Sequence, residues 1–395
     1  MKNNKYLIII PDGAADLPLE DLGGRTPLEA ARTPNLDAIA REGQVGLVQT
    51  IPEQVASPGS DVALLSILGY DPRLYYTGRS PLEAASMGVS LEKEDMAFRC
   101  NLVSSDGEKL INYSGGDIST EEARPLIELI NQQLGNSRRH FFPGISYRHL
   151  MVWRDGPVDL KTVPPHDIQG QPLTPNLPQG EGADTLKSLI FDSLEILDHH
   201  EINKRRRDQG KPPANMIWLW GQGRAPSLPS FSVRWGVAGV VIGAVDLVRG
   251  VAKYAGLTAP AVAGATGGLD TDFAAKGKAG IEALQKADFV LVHVEAPDEA
   301  GHNGDLEKKI WAIEQIDAKV VGPLYQQMAK NRGRMLILPD HRTPVSIKTH
   351  SRHPVPFVLW PGESKAGAFS EAEAEATGLR VEEGHRLIEM LFGGD

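Results

Sequence analysis

The sequence predicts an α/β fold with a mostly parallel β-sheet flanked by helices, interrupted by an inserted domain. Three observations support this prediction. Short β-branched apolar runs alternate with longer stretches of helical spacing, as in parallel sheets built from strand–helix–strand units. Polar residues directly follow several of these runs. A turn-rich segment separates the two halves of the chain.

Four apolar runs are predicted as buried strands of this sheet, at residues 6–10, 289–294, 334–338 and 356–360. Each is short, rich in branched aliphatic side chains and bounded by turn or polar residues. Residues 306–328 repeat apolar positions at helical spacing and predict a helix. Ligands bind at the carboxyl ends of strands in open parallel sheets, so polar residues there are the first candidates for a site.

The middle of the chain has a different composition. It contains turn-rich stretches at 164–172 and 175–180, and it closes with a further predicted strand at 216–220. The candidate polar residues lie near both ends of the chain. We therefore expect a core domain formed by residues 1–85 and 235–395, with residues 86–234 inserted as an α+β cap domain.

Composition limits the classes of function. The net charge of −10 argues against a nucleic-acid partner, since phosphate backbones are bound by basic surfaces. A small phosphorylated substrate stays compatible, because bound cations reverse the local field. The one dense basic run, residues 204–207, fits a solvated loop or an anion contact.

Cysteine usage and the first residues indicate the compartment. The single cysteine, Cys100, excludes an internal disulfide framework and favours a reducing environment. The apolar run at 6–10 is too short for an export signal or a membrane span. We expect a cytoplasmic location and no membrane partner. The sequence does not determine the oligomeric state.

Carboxylates and imidazoles recur late in the chain. Asp298 and His302 are four residues apart, so a helical turn places both on one face. Asp340 and His341 follow an apolar strand, where a buried charge is costly unless it is paired or bound to metal. His350 follows in a loop, and six of the eleven histidines lie after residue 290. The alternative is a set of buried polar residues with structural hydrogen bonds only.

Asp12, at the end of the first predicted strand, completes a candidate two-metal site. Mixed imidazole and carboxylate ligands suit Mn²⁺ or Zn²⁺, and Mg²⁺ where oxygen dominates. Two divalent cations close together carry out chiefly in-line displacement at phosphorus. The set therefore points to phosphoryl transfer.

Ser60 is the candidate nucleophile. It follows the Pro58-Gly59 turn and precedes an apolar stretch with helical character. Serine at a helix start often serves only as a local N-cap, and this alternative stays open. The same position would favour an alkoxide and a phosphate, because helix N-terminal amides attract anions. A cation bound to the hydroxyl would lower its pKa.

These residues belong to a longer ordered pattern that spans nearly the whole chain. The chain resembles the cofactor-independent phosphoglycerate mutases of the archaeal type, within the alkaline phosphatase superfamily of metalloenzymes. The matching segments are Pro11-Asp12-Gly13, Gly59-Ser60-Asp61-Val62-Ala63, Leu68-Gly69-Tyr70-Asp71-Pro72, Tyr76-Thr77-Gly78-Arg79, Phe98-Arg99-Cys100-Asn101, Pro165-His166-Asp167, Asn203 with Arg206, Trp218-Leu219-Trp220-Gly221-Gln222-Gly223, Gly264-Ala265-Thr266-Gly267, Asp298 with His302, Asp340-His341, and His350.

The resemblance implies an alkaline-phosphatase-like core and two divalent metal ions, Mn²⁺ by preference, without 2,3-bisphosphoglycerate. It implies Ser60 as the nucleophile that takes the phosphoryl group of 3-phosphoglycerate and returns it to the 2-hydroxyl. One implied metal site is formed by Asp298, His302 and His350, the other by Asp12, Ser60, Asp340 and His341. The implied substrate contacts are Arg79, Arg99, His166, Asp167, Arg206 and Lys276.

Three positions differ from the family pattern, namely Leu64, Ser80 and His353. Other activities also remain compatible with the same core residues. They are a phosphotransferase such as a homoserine kinase using ATP, a phosphatase, and a metal-binding relative without catalysis.

Overall fold

The computed structural model describes residues 5–55, 59–363 and 366–393. The strands are β1 Tyr6–Pro11, β2 Gln44–Val48, β3 Met96–Ser105, β4 Leu110–Asn112, β5 Arg139–Ile145, β6 Arg148–Trp153, β7 Leu160–Lys161, β8 Gln179–Gly180, β9 Met216–Arg224, β10 Gly239–Ile242, β11 Phe289–Val294, β12 Arg334–Ile337, β13 Val355–Trp360 and β14 Arg380–Val381.

The α-helices alternate with these strands. They are α1 Pro27–Ala30, α2 Pro34–Arg41, α3 Ser60–Ile67, α4 Pro72–Tyr75, α5 Ser80–Ser86, α6 Thr120–Leu134, α7 Ala183–Asp198, α8 Glu201–Asp208, α9 Phe231–Trp235, α10 Asp246–Tyr254, α11 Phe273–Lys286, α12 Ala296–Asn303, α13 Leu306–Ile316, α14 Gly322–Asn331, α15 Glu371–Ala376 and α16 Leu387–Phe392. Short 3₁₀ segments lie at Glu20–Leu22, Pro165–Ile168, Thr174–Asn176 and Gly384–Arg386.

The chain forms two compact units, and the first combines residues 1–76 with 227–395. Its sheet has the strand order β10-β11-β1-β12-β13-β2-β14. All neighbouring strands are parallel except at β13, which runs antiparallel to both β12 and β2. The central strands are buried on both faces and apolar, as expected for a sheet covered by helices.

Helices pack against this sheet, including α11 on β11, α14 and α16 on β12, and α15 on β2. The predicted α/β class with a mostly parallel sheet is therefore confirmed. Among the described residues, no helix combines the length and the apolar character needed to cross a membrane.

The predicted helix at 306–328 is divided in the structure. A π-helical turn at Asp317–Val321 separates α13 from α14. Pro323 near the start of α14 lacks the amide hydrogen that a continuous helix would use. The turn also places the Asp317 carboxylate where it accepts hydrogen bonds from the amides of Asn35 and Leu36, at the start of α2. The π-helical turn thus holds the start of α2 through the Asp317 carboxylate.

The second unit comprises residues 77–226. Its sheet has the order β4-β3-β6-β5, with β9 paired to β3, and all of these pairs are antiparallel. Its apolar core includes residues of α6 and α7. The unit is thus an α+β insertion between the two segments of the first unit.

The inserted unit begins at residue 77 and ends at residue 226, whereas the predicted cap domain spans residues 86–234. Helix α5 packs on β3 and β9, so it belongs to the inserted unit. In contrast, Trp235 at the end of α9 stacks on Phe392, with ring centres 5.2 Å apart, and this places α9 in the first unit. Apolar spacing alone does not show which sheet a short helix will cover.

Candidate metal centre

The predicted metal ligands come together at one edge of the large sheet. Asp12 directly follows β1, Asp298 lies in α12 beyond β11, and Asp340 follows β12. His350 precedes β13. Because β13 runs antiparallel to its neighbours β12 and β2, it starts at the edge of the sheet where those two strands end. Topology therefore brings residues from four strand ends into one cluster.

Asp298, His302 and His350 form the first group of candidate ligands. Nε2 of His302 lies 3.3 Å from Oδ2 of Asp298, and Nε2 of His350 lies 3.4 Å from Oδ1. The Nδ1 atom of His302 lies 3.0 Å from the carbonyl oxygen of Lys348. A hydrogen bond to this carbonyl leaves the Nε2 lone pair available to a cation.

Asp12, Ser60, Asp340 and His341 form the second group. Nε2 of His341 lies 3.0 Å from the Ser60 hydroxyl, 3.4 Å from Oδ2 of Asp340 and 3.5 Å from Oδ1 of Asp12. Both aspartates and the histidine are almost fully buried. Ser60 is 281 residues from His341 in the chain, so only the tertiary fold brings them into contact.

Ser60 does not act as a helix cap. The N-cap of α3 is Gly59, and it makes no side-chain capping bond, while Ser60 is the first helical residue. The Ser60 hydroxyl instead faces His341. The local-cap alternative is therefore wrong. Ser57 and Pro58 of the predicted turn lie outside the described residues.

The donor set fits divalent cations. Within the described part of the chain, Oδ1 of Asp12 and Oδ2 of Asp340 are buried without a hydrogen-bond partner. Burial and the neighbouring carboxylates of Asp340, Asp298 and Glu295 raise the pKa of Asp12 well above its ordinary value. Buried carboxylates at such close range repel one another, and a cation held between them would offset that cost.

The cluster contains two further side chains, which were not among the ligands predicted from the sequence. Nε2 of His293 lies 3.2 Å from Oδ2 of Asp12, and burial lowers the pKa of His293 to about 4. Glu295 groups with Asp12 and Asp298, with ligand atoms within 4.8 Å of one another. The available signal was a histidine inside the apolar strand β11, where both faces are buried.

Lys276 of α11 also lies close to this cluster. Its Nζ donates to the carbonyl oxygen of Thr266 at 3.1 Å. Burial lowers its pKa to about 8, and the negative charges of Glu295 and Asp12 oppose that shift. The positive charge of Lys276 thus interacts with the carboxylates of Glu295 and Asp12.

The inserted unit brings four of the predicted substrate contacts together. Nε atoms of Arg79 and Arg99 lie 3.2 Å and 3.1 Å from the two carboxylate oxygens of Glu83. Nε2 of His166 lies 3.6 Å from Oδ1 of Asp167. Burial lowers the pKa of His166, and the charges of Arg99 and Arg79 lower it further while Asp167 opposes them. The group thus combines two guanidinium groups, one imidazole and two carboxylates.

Trp220 lies between these groups. The guanidinium carbon of Arg99 stands 4.5 Å from the centre of the Trp220 ring, and the His166 ring centre is 5.5 Å from it. Cation–π contact of this kind holds a guanidinium in one orientation.

Arg206 is buried inside the inserted unit. It lies in helix α8 and is 1% exposed, so the solvated-loop alternative is wrong for it. Its guanidinium donates to the Glu122 carboxylate and to the carbonyl oxygens of Gly115, Gly116 and Pro212. These bonds assign it to the internal packing of the inserted unit. Arg206 is therefore left out of the proposed substrate contacts.

The three positions that differ from the family pattern have local explanations. Leu64 is a buried residue of α3. The Ser80 hydroxyl donates to the carbonyl oxygen of Gly221. Nδ1 of His353 lies 3.0 Å from the Ser351 hydroxyl. Each side chain is accommodated without displacing a candidate metal ligand.

Cation affinity should depend on the protonation of His302. The hydrogen bond with Asp298 raises the pKa of His302 above 6.5. In the metal-free protein, the charged imidazole therefore stabilises the fold fully below the unfolded-state pKa, and this contribution is lost as pH rises through the folded pKa. A cation must displace the same proton. We expect Mn²⁺ affinity to increase from pH 6 to 8.

Titration calorimetry in buffers of different ionisation enthalpy measures this effect. At about pH 6.5, binding should release about one proton to the buffer, and His302→Gln should release less. Equal affinity at both ends of the pH range, with no proton release, would contradict the assignment of His302 as a ligand.

The fold and the cluster define the class of this protein as an α/β protein with a serine beside a buried set of candidate cation ligands. Residues 40–203 match the family model described as 2,3-bisphosphoglycerate-independent phosphoglycerate mutase. The chain is 52% identical to a probable 2,3-bisphosphoglycerate-independent phosphoglycerate mutase of Geobacter sulfurreducens, over 98% of this chain and 99% of that protein. It is 48% identical to the mutase of Methanosarcina barkeri, over 98% of this chain and 99% of the other.

Solved structures agree. A Pyrococcus horikoshii protein superimposes with a TM-score of 0.85 and 31% identity, covering 99% of this chain and 98% of the other. The cofactor-independent phosphoglycerate mutase of Thermoplasma acidophilum gives 0.69 and 25%, covering 98% of both chains. The chain belongs to the family of 2,3-bisphosphoglycerate-independent phosphoglycerate mutases. The resemblance stated from the sequence is confirmed.

Proposed function

We propose that this chain interconverts 3-phosphoglycerate and 2-phosphoglycerate, with Ser60 carrying the phosphoryl group between the two positions. The observation that supports it most directly is the Ser60 hydroxyl at 3.0 Å from His341, beside buried carboxylates in a chain of this family. The reaction would belong to glycolysis and gluconeogenesis. A cytoplasmic location is part of the same proposal.

Each transfer step conserves atoms and protons. The Ser60 oxygen bonds to phosphorus as the bond to the 3-oxygen breaks, and the serine proton ends on that 3-hydroxyl. In the second step, the 2-oxygen of glycerate bonds to phosphorus, the serine–phosphorus bond breaks, and the proton of the 2-hydroxyl returns to Ser60. No co-reactant is consumed, which is consistent with independence from 2,3-bisphosphoglycerate.

The residues of the chain prepare Ser60 for this role. Its place at the first position of α3 exposes the hydroxyl to the positive end of the helix dipole, which favours an attached phosphate. His341 can accept the hydroxyl hydrogen bond through Nε2. Asp298, His302 and His350 would hold one cation, and Asp12, Ser60, Asp340 and His341 the other. Bound there, cations supply charge neutralisation and lower the pKa of the hydroxyl.

The ion is proposed to be Mn²⁺, with Zn²⁺ or Mg²⁺ as alternatives, because both sites mix imidazole and carboxylate donors. Arg79, Arg99, His166 and Asp167 of the inserted unit are proposed substrate contacts, together with Lys276. Guanidinium groups suit the carboxylate and phosphate of a phosphoglycerate.

Three assays on the purified full chain test this function. The first follows conversion of 3-phosphoglycerate to 2-phosphoglycerate, the second supplies ATP with homoserine, and the third measures release of inorganic phosphate. We expect rapid turnover in the first assay only. Activity confined to the second assay would replace the mutase by a kinase, and net phosphate release without isomerisation would replace it by a phosphatase.

A further inference from the structure

Thr343 contacts two of the candidate cation ligands. It is fully buried. Its hydroxyl donates a hydrogen bond of 2.5 Å to Oδ1 of Asp298, and the same oxygen lies 3.1 Å from Nδ1 of His341. Asp298 belongs to one proposed site and His341 to the other, so a single hydroxyl contacts a ligand of each.

The contacts of Thr343 favour one tautomer of His341. A threonine hydroxyl carries one hydrogen, and an ionised carboxylate can only accept. The Thr343 hydrogen therefore points to Asp298, and its oxygen is free to accept from Nδ1–H of His341. A neutral imidazole with its hydrogen on Nδ1 has its lone pair on Nε2.

The Nε2 atom is the one that faces the reaction site. It lies 3.0 Å from the Ser60 hydroxyl and 3.4 Å from Oδ2 of Asp340. With its lone pair there, the ring can accept from Ser60 or bind a cation. In the opposite tautomer, Nε2–H could do neither. Hydrogen bonding on the far side of a ligating histidine commonly has this effect.

The backbone of Thr343 is held firmly. Its amide donates to the carbonyl oxygen of Ala15 at 3.2 Å, and its carbonyl accepts from Nζ of Lys309 at 2.8 Å. Lys309 is itself buried and pairs with Asp16 at 2.7 Å. These contacts fix the segment that carries the hydroxyl.

Two glycines permit this close packing around Thr343. A Cβ on Gly13, where φ is +63°, would lie 2.6 Å from the Thr343 hydroxyl oxygen. A Cβ on Gly301 would lie 2.5 Å from the Thr343 carbonyl oxygen. Distances below 3 Å leave no room for a side chain at either glycine. The close approach of Gly13 and Gly301 therefore restricts the position of Thr343.

We propose that Thr343 is a positioning residue that orients the Asp298 carboxylate and sets the Nδ1–H tautomer of His341, thereby coupling the two cation sites. The coupling rests on the proposed function of those sites. The tautomer can be tested separately, because it can be measured in the metal-free protein as well.

The test uses the full chain labelled with ¹⁵N-histidine, with Thr343→Ser and Thr343→Val as matched variants. Serine keeps the hydroxyl, and valine keeps the shape without it. Histidine ¹⁵N NMR reports the tautomer of His341, which is assigned by comparison with His341→Gln. Calorimetry with Mn²⁺ alone reports the affinity of the cation sites, and circular dichroism reports folding.

We expect the Nδ1–H tautomer in the wild type and in Thr343→Ser, and a mixture of tautomers in Thr343→Val. Mn²⁺ affinity should fall about 10- to 100-fold in Thr343→Val and stay close to the wild-type value in Thr343→Ser. An Nε2–H tautomer in the wild type would overturn the proposal even if the valine variant failed to fold. Unchanged tautomer and affinity in folded Thr343→Val would overturn it as well.

Failure of the proposed function would be recognised separately. A wild-type chain that binds no Mn²⁺ contradicts the two-cation site and removes the coupling between sites. The NMR comparison of Thr343→Val with Thr343→Ser would still confirm or refute the control of the tautomer by the hydroxyl.

Discussion

Replacing Ser60 with alanine should reduce mutase turnover on the order of a thousandfold or more, because the phosphoryl group then has no acceptor on the enzyme. The hydroxyl makes no capping bond in α3, so its loss should leave the fold intact. Turnover is measured with 3-phosphoglycerate. Acid-quenched samples incubated with ³²P-labelled substrate should carry label in the wild type and none in Ser60→Ala.

Ser66→Ala is the matched control for this variant. Ser66 lies on the same helix and is fully buried. Within the described residues, its hydroxyl has no hydrogen-bond partner. Its removal should leave turnover and labelling near the wild-type level. An active Ser60→Ala enzyme that still became labelled would assign the nucleophile to another residue.

Removing divalent cations with a chelator should abolish turnover and lower the free energy of unfolding. The buried carboxylates of Asp12, Asp298 and Asp340 are then left to repel one another without a compensating charge. Mn²⁺ at a hundred times its dissociation constant should restore about 2.7 kcal/mol per site. Thermal or urea unfolding with and without Mn²⁺ measures the stability, and the mutase assay measures the recovery of turnover.

Two histidine variants distinguish specific binding from a general effect. His302→Gln removes a proposed ligand 3.3 Å from Asp298 and should weaken the stabilisation by Mn²⁺. His353→Gln changes a histidine that contacts only Ser351 among the described hydrogen bonds, and it should respond as the wild type does. Full turnover after exhaustive metal removal would refute the role of cations altogether.

Several strands were predicted correctly because each is a local property. The runs at 6–10, 289–294, 334–338 and 356–360 correspond to β1, β11, β12 and β13 within one residue at either end. A stretch of four to eight residues, rich in branched aliphatic side chains and bounded by polar or turn residues, favours a strand buried on both faces over a helix, because it is too short for a typical helix. Prediction of these elements needed no knowledge of their neighbours.

The direction of β13 and the division of residues 306–328 were not predictable in this way. The reversed direction of β13 is seen in its pairing with β12 and β2, and the apolar composition of a strand is the same for either direction. The π-helical turn depends on Asp317 meeting α2, 281 residues away in sequence from Leu36. Both features are decided by contacts between distant segments.

The roles of some polar residues also depend on contacts between distant segments. Arg206 sits in a basic run that suggested an anion contact, yet its guanidinium is saturated by Glu122 and backbone carbonyls. His293 and Thr343 gave no local signal of comparable strength, although both contact candidate ligands. The function of a side chain depends on the residues that it contacts. Those contacts can be predicted from the sequence only when the residues are close together in the chain.

By itself, the sequence determined the α/β class, the inserted segment, the family resemblance and the set of carboxylates and imidazoles available for cations. These follow from local periodicity, composition and ordered motifs. The tertiary structure alone decided that the Ser60 hydroxyl points to His341 rather than to its own helix. The reason is physical: hydrogen bonds and charge interactions act over a few ångströms, and only folding brings residues 60 and 341 within that range.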